Sequence, residues 1–597
     1  MVRDALIASL LISLSAACAS NPMPIDLMRR QFDEDWKYWM TQYPEAATLF
    51  GYPGQNARWT DYSQTAIDAR NDYLRRSLER FSSIDRSRLP EDAQLDYDLY
   101  GELLETAVKG LAFHNDAMPV RSVIPGNLLM PMTQMGGIQQ EVPRLLSAMP
   151  TATREDYENI VARLEGVGPL VDRTMALMER GLAAGLTPPK IAMRDVAAQV
   201  EAQILADAAA SPMLAAFTKW PDTVPEPERG ALRARAVKAY EQSARPAFTR
   251  LRDFLVTRYV PGCRETTSVA GLPKGREMYE YNVRWHTTTD LTPQQIHDIG
   301  LAEVKRIRGE MDAAIAATEF KGGYAEFVQF LRTEPRFYYA DASSLLTGYR
   351  DICKRADPEL APLFGRLPQT PYGVQPVPDA IAPSQTTAYY DPGAFAVGRP
   401  GNMFANTYKL EARPRWEMEA LTLHEAVPGH HLQISLAQEM QGLPEFRRNA
   451  SYTAFVEGWA LYAESLGEEM GFYADPYSKF GQLTYEMWRA VRLVVDTGLH
   501  AMGWTRDQAI RFFTEHAAKT PQDIVVEVDR YIVWPGQAIG YKIGQMKIQE
   551  LRAASTRELG DRFDLRGFHD TVLEQGAVPL DVLERRVKAW TAARRER

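Results

Sequence analysis

The firmest constraint on how this chain folds is the octapeptide His424-Glu425-Ala426-Val427-Pro428-Gly429-His430-His431, which holds three of its nine histidines. Imidazole is a good zinc ligand and a neighbouring carboxylate can take a proton from water, so these residue types suit a metal hydrolase. The spacing is unusual. An ordinary H-E-x-x-H helix sets its histidines four residues apart on one face. In an unbroken helix His430 would point about 120° away from His424, and His431 would sit roughly 10 Å along the axis. Pro428 has no N–H to return to the carbonyl of residue 424, and Gly429 tolerates backbone angles that other residues resist. The helix is therefore expected to break at Val427–Gly429. A loop there would carry His430 back toward His424, making those two the favoured ligands, with His431 as the alternative.

Core material is not limiting in 597 residues of which 45 % are hydrophobic. That length allows one very large domain or several ordinary ones. The net charge of −9 comes with interspersed signs and no long basic stripe, which argues against a nucleic-acid partner.

At the N-terminus Arg3 is followed by an apolar run from Ala5 to Leu14 and then Ser15-Ala16-Ala17-Cys18. One positive charge, an apolar stretch too short for a bilayer and small residues at its end read as a signal peptide over residues 1–17. The position of Cys18 resembles a bacterial lipobox, in which the cysteine becomes the lipidated mature N-terminus. Simple secretion after Ala17 or Ala19 is the alternative. Either way the protein is expected outside the cytoplasm, periplasmic or anchored to the outer membrane. Cys263 and Cys353 then read as two buried free thiols.

Helical periodicity dominates the rest. Thr292-Pro293-Gln294-Gln295 is a capping-box signature with proline at the first helical position, followed by apolar residues at Ile296, Ile299, Val304, Ile307, Met311 and Ile315. Further helices are predicted at about Arg154 to Ala184, Glu228 to Tyr259, Pro414 to Val427, Tyr452 to Met470 and Pro579 to Arg595. Short strand-like runs concentrate between Pro368 and Tyr408, at Gln385–Tyr390 and Asn402–Thr407. The second precedes the histidines and suggests a strand whose edge could hold an extended peptide. The expected class is mainly α, with a small β element near the site. The Pro- and Gly-rich stretch from 261 to 275 suggests a seam between an N-terminal helical lobe over 18–265 and a C-terminal lobe over 266–597, forming one continuous unit.

A further ligand is available downstream. Phe455-Val456-Glu457-Gly458-Trp459-Ala460-Leu461-Tyr462-Ala463-Glu464 reads as a helix with Glu457 and Glu464 on one face. One carboxylate suits the metal, and the other suits the second nitrogen of a histidine ligand, whose tautomer it would fix.

These two blocks, with Arg530-Tyr531-Ile-Val-Trp-Pro535-Gly-Gln-Ala-Ile-Gly540-Tyr541-Lys542-Ile-Gly544, resemble a bacterial lipoprotein family of unassigned function. Nearly the whole mature chain takes part in the resemblance. That family is in turn distantly similar to the helical gluzincin peptidases: thimet oligopeptidase, Taq-type carboxypeptidase and the angiotensin-converting-enzyme group. The resemblance implies a large two-lobed helical fold with a deep cleft and one zinc ion per chain. Glu457 matches the third zinc ligand, Glu464 matches the glutamate seven residues on, and Gly429-His430 matches the family's Gly-His pair, which favours His430. The stretch between Glu425 and Gly429 is two residues longer than the oligopeptidase pattern. Late tyrosines in these peptidases stabilise an oxyanion; Tyr541 is the closest counterpart and Tyr531 the second.

The expectation is a zinc peptidase acting on short or unfolded peptides in the cell envelope, with Glu425 as base. Two other readings stay open. A zinc amidase acting on cell-wall fragments would use the same water chemistry. A lipid-anchored scaffold would need ligands but no adjacent base such as Glu425.

Overall fold

Helices supply nearly all the regular structure of the computed structural model, which describes residues 23–596 apart from 117, 120–124, 380–381, 383–384, 394 and 396–397. The signal peptide and Cys18 lie outside the described residues. Among those residues, no helix is long and apolar enough to cross a membrane.

Local sequence sets many of the boundaries. Helix α1 (Pro24–Gln42) opens on proline, and α2 (Gln64–Ser82) and α3 (Glu91–Gly110) follow it. The predicted helix from Arg154 to Ala184 is α4, opened by a Thr153–Asp156 capping box and closed by Gly185 in the left-handed conformation. The helical path from Glu226 to Tyr259 holds two five-residue π segments, at Tyr240–Ala244 and Leu255–Tyr259, where the period widens. Helix α5 (Pro293–Ala317) begins with the predicted capping box, Thr292 and Gln295 bonding each other's backbone N–H.

A three-stranded sheet lies between residues 372 and 405: β1 (Tyr372–Pro376), β2 (Ala388–Asp391) and β3 (Gly401–Ala405). The order is β1-β3-β2, with β3 parallel to β1 and antiparallel to β2. This corrects the expectation that the run nearest the histidines offers a free edge. Strand β3 is central and its ladder groups are paired on both sides, so the edges belong to β1 and β2.

Beyond the sheet run α6 (Met418–Glu425), α7 (His430–Glu439), α8 (Thr453–Ser465), α9 (Pro476–His500), α10 (Pro521–Val533) and α11 (Gly540–Leu559). Helix α9 is the axis of this half, buried on every face from Phe480 to Met487 and from Arg489 to His500. One apolar core joins α1 to α3 with residues as distant as Val587. Within it Phe32 and Tyr100 pack their rings on Phe446, at 5.1 and 4.8 Å between centroids. A second core lies within residues 132–263, and a third packs α5 against α9 and α10. Cys263 and Cys353 are buried and free, and burial pushes both thiols up to about 12.

Candidate metal centre

The helix entering the octapeptide stops at Glu425, and the next begins at His430. Between them Ala426 leaves helical geometry (φ −99°, ψ −112°) and the Val427–Pro428 peptide is cis. Gly429 is required sterically: a Cβ there would sit 1.9 Å from the carbonyl oxygen of His424. The break is held from outside by Trp459, whose Nε1 donates to the Pro428 carbonyl at 2.8 Å. The tryptophan next to Gly458 in the second block thus clamps the interruption in the first.

The interruption brings His424 and His430 together, their rings 4.8 Å apart and nearly perpendicular. Helix α8 delivers Glu457 to both: its Oε2 lies 3.7 Å from His424 Nε2 and 3.5 Å from His430 Nε2. One donor atom from each of the three residues lies within 4.8 Å of the others. Helix α8 reaches this position because its backbone meets that of α11 closely. A Cβ on Gly458 would be 2.6 Å from Gly544, and one on Gly544 would be 1.7 Å from the carbonyl oxygen of Ala454. The glycines of the second and third blocks are therefore the contact that seats Glu457.

One helical spacing further along α8, fully buried Glu464 bonds His424 Nδ1 at 2.8 Å, leaving Nε2 to face Glu457. Arg489 of α9 approaches the same Glu464 oxygen at 3.8 Å, and Tyr473 donates to the Glu464 carbonyl at 2.7 Å. Sequence reasoning missed Arg489, and a lone arginine in a buried helix carries no signal that would have found it.

Burial opposes charge on His424, but Glu457, Glu464 and Glu425 raise its pKa to about 9. For Glu457, burial pushes upward while His424 and His430 hold the carboxylate well below its usual range. A field that draws a proton to His424 also draws a cation, so two imidazoles and a carboxylate under this charge fit a divalent metal. His430 Nδ1 is buried and has no hydrogen-bond partner among the described residues, so nothing fixes this ring's tautomer as Glu464 fixes that of His424.

Glu425 is 9 % exposed and makes no hydrogen bond or ion pair with the described residues. His431 sits apart from the three donors. Its Nδ1 bonds Tyr390 of β2 at 2.9 Å, its ring lies 4.6 Å from that of Tyr372 of β1, and burial pushes its pKa down to about 4. It is a neutral link between the sheet and α7.

Of the two tyrosines, Tyr531 is fully engaged, donating to Glu527 at 2.7 Å and accepting from Arg492 Nε at 3.1 Å. Tyr541, at the start of α11, accepts from Arg530 at 3.3 Å and has the Arg492 and Arg489 guanidinium groups 4.4 and 6.0 Å from its ring centre. Arg489 thus lies between Glu464 and Tyr541 without hydrogen-bonding either.

Residues 44–587 match the family described as bacterial proteins of unknown function (DUF885). The chain belongs to this family. Two solved structures are similar, each described as a "putative lipoprotein". One, from Colwellia psychrerythraea, is 29 % identical with a TM-score of 0.90, over 96 % of this chain and 99 % of that one. The other, of unknown function, from Shewanella oneidensis, is 15 % identical with a TM-score of 0.71, over 94 % and 99 %, and shares the fold. Among curated proteins none matches.

Proposed function

We propose that this family member is an exported zinc-dependent metallopeptidase that hydrolyses short or unfolded peptides in the cell envelope. The observation that carries the reading is the convergence of His424, His430 and Glu457 beside a buried carboxylate, Glu425, that is committed to no other partner. A structural site needs the three ligands but has no use for that unpaired base. The distant similarity of the family to the gluzincin peptidases, with Glu457, Glu464 and Gly429-His430 matching their pattern, supports the same assignment. The lipobox-like Ser15-Ala16-Ala17-Cys18, together with relatives described as lipoproteins, supports export with a lipid anchor at Cys18.

His424, His430 and Glu457 would hold the zinc. When bound, zinc lowers the pKa of water in its shell and polarises the carbonyl to be cleaved. Glu425 takes the proton from the attacking water and returns one to the leaving amine. Glu464 accepts from His424 Nδ1 and fixes the tautomer that presents Nε2. Tyr541 accepts its hydrogen bond from Arg530, so its own O–H is free to donate to the carbonyl oxygen as charge develops there. The hydroxyl proton of Tyr531 is already given to Glu527, which supports Tyr541 for this role.

Elemental analysis of purified protein and digestion of a peptide library test the proposal. One zinc per chain is expected, with peptide-bond cleavage that falls about 10²- to 10⁴-fold in Glu425→Gln while zinc is retained. Protein without a transition metal, or equal cleavage by both forms, would overturn it.

A further inference from the structure

A cavity of about 930 Å³ opens between the N-terminal helices and the half that carries the metal centre. Its walls are largely apolar and rich in methionine and aromatic side chains, including Trp59, Tyr62, Met130, Met135, Met278 and Trp534. Flexible thioethers and flat rings adapt to large apolar side chains of differing shape. Two stretches of the wall lead in sequence into helices that carry residues of the candidate centre. Asn449 and Ser451 precede α8, which carries Glu457, and Ile532–Pro535 precede Tyr541 at the start of α11.

The charges in the wall are unequal in their commitments. Glu45 accepts from Thr60, Asp116 is paired with Arg70, and Glu141 is paired with Arg144. Arg264 has no carboxylate partner among the described residues. Its Nε and Nη1 donate to the carbonyls of Thr187, Thr266 and Ser268, and Nη2 makes no hydrogen bond with the described residues. A cation held by neutral carbonyls in an apolar wall is suited to an anionic ligand. In the same wall Asn115 is buried with its Oδ1 lacking a donor. A peptide supplies N–H groups and a carboxylate, whereas a fatty acid supplies only the carboxylate.

We propose that this cavity is the subsite for large apolar side chains of the substrate peptide, with Arg264 receiving a carboxylate of the same peptide. The inference rests on the peptidase reading and names its substrate class: peptides with aromatic or long aliphatic residues and a free carboxylate. Gly136 lines the cavity, and a Cβ there would meet nothing within 4 Å, so a side chain at 136 can fill the space without disturbing the backbone.

The test uses full-length protein carrying Glu425→Gln, so that peptides are not consumed, with 8-anilinonaphthalene-1-sulfonate as an apolar anionic fluorescent probe. One bound probe per chain is expected, displaced by Ala-Phe-Phe at least tenfold more tightly than by Ala-Ser-Ser or by amidated Ala-Phe-Phe. Adding Gly136→Phe should weaken the probe and Ala-Phe-Phe at least tenfold with an unchanged melting temperature. Arg264→Lys should preserve the preference for the free carboxylate, and Arg264→Gln should abolish it. In protein with Glu425 intact, Gly136→Phe should lower kcat/KM for phenylalanine peptides tenfold and leave serine peptides within twofold. Equal displacement by the phenylalanine and serine peptides, or tighter displacement by laurate than by any peptide, would overturn the proposal. If zinc binds and peptides are cut but Gly136→Phe leaves the preference unchanged, the subsite fails and the peptidase reading stands. If no metal binds but peptide displacement behaves as described, the cavity is a peptide-binding site and the peptidase reading fails.

Discussion

Two buried carboxylates illustrate how surroundings assign different tasks to the same chemical group. Glu464 is held by His424, with Arg489 close to the same oxygen, so its work is orientation. Glu464→Gln keeps the shape but weakens the acceptor, and zinc affinity measured by chelator competition should fall about 10- to 100-fold. An unchanged affinity would remove Glu464 from the metal assembly. Asp496, on the same axial helix as Arg489, is raised by burial from 3.8 to about 7, although it accepts from Tyr279 and Gly536. A raised carboxyl binds its proton more tightly folded than unfolded. Its contribution is therefore greatest below the unfolded pKa and is lost as pH rises through about 7. Asp496→Asn keeps an acceptor for both donors without a charge to bury. The variant should match the native protein near pH 4 and exceed it by roughly 1–4 kcal/mol at pH 8 in denaturant unfolding. Identical pH profiles would show that the carboxyl is not raised.

At the scale of elements, the site depends on two places where backbone must approach backbone. One is the break after α6, where Gly429 lies against the His424 carbonyl; the other is the crossing of α8 and α11 at Gly458 and Gly544. Gly544→Ala places a methyl group inside the contact distance of the Ala454 carbonyl, so the helices must separate. A loss of about 3 kcal/mol or more in denaturant unfolding is expected, together with reduced zinc content, because α8 also carries Glu457. Gly309→Ala is the control: it lies within α5, its Cβ would meet nothing within 4 Å, and its effect should be neutral or slightly stabilising. Equal effects of the two substitutions would contradict the role given to the crossing.

Across the whole molecule, the N-terminal helices complete the core that also packs the candidate metal centre's helices. Phe32 and Tyr100 cover Phe446, and Arg447 pairs with Asp96 at 2.6 Å. A fragment of residues 266–597 would expose that surface and strip Arg447 of its carboxylate partner Asp96. It should lack near-UV circular dichroism and bind zinc without stoichiometry. A cooperative melt of the isolated fragment would show that the seam near 265 separates independent domains.

Much of this was legible in the sequence wherever one element contains its own signal. The capping boxes, the apolar period of α4 and α5 and the break at Val427–Gly429 are local, because proline chemistry and side-chain period act within a few residues. Helix α9 escaped although its residues keep a helical period, and the burial of its polar side Arg489, Arg492, Asp496 and His500 is a matter of packing that no period reveals. Strand β3 was legible as a strand, but its central place was not, since β1 was unrecognised and pairing order is not written in either partner alone. The sequence by itself determined which residues are candidates for the site and where the helix must stop. Only the tertiary structure decided that His430 and not His431 faces Glu457, that Arg489 approaches Glu464, and that an apolar cavity is walled by the stretches preceding α8 and α11. Those facts depend on how distant helices pack against one another, and packing is a property of pairs of surfaces that no single stretch of chain contains.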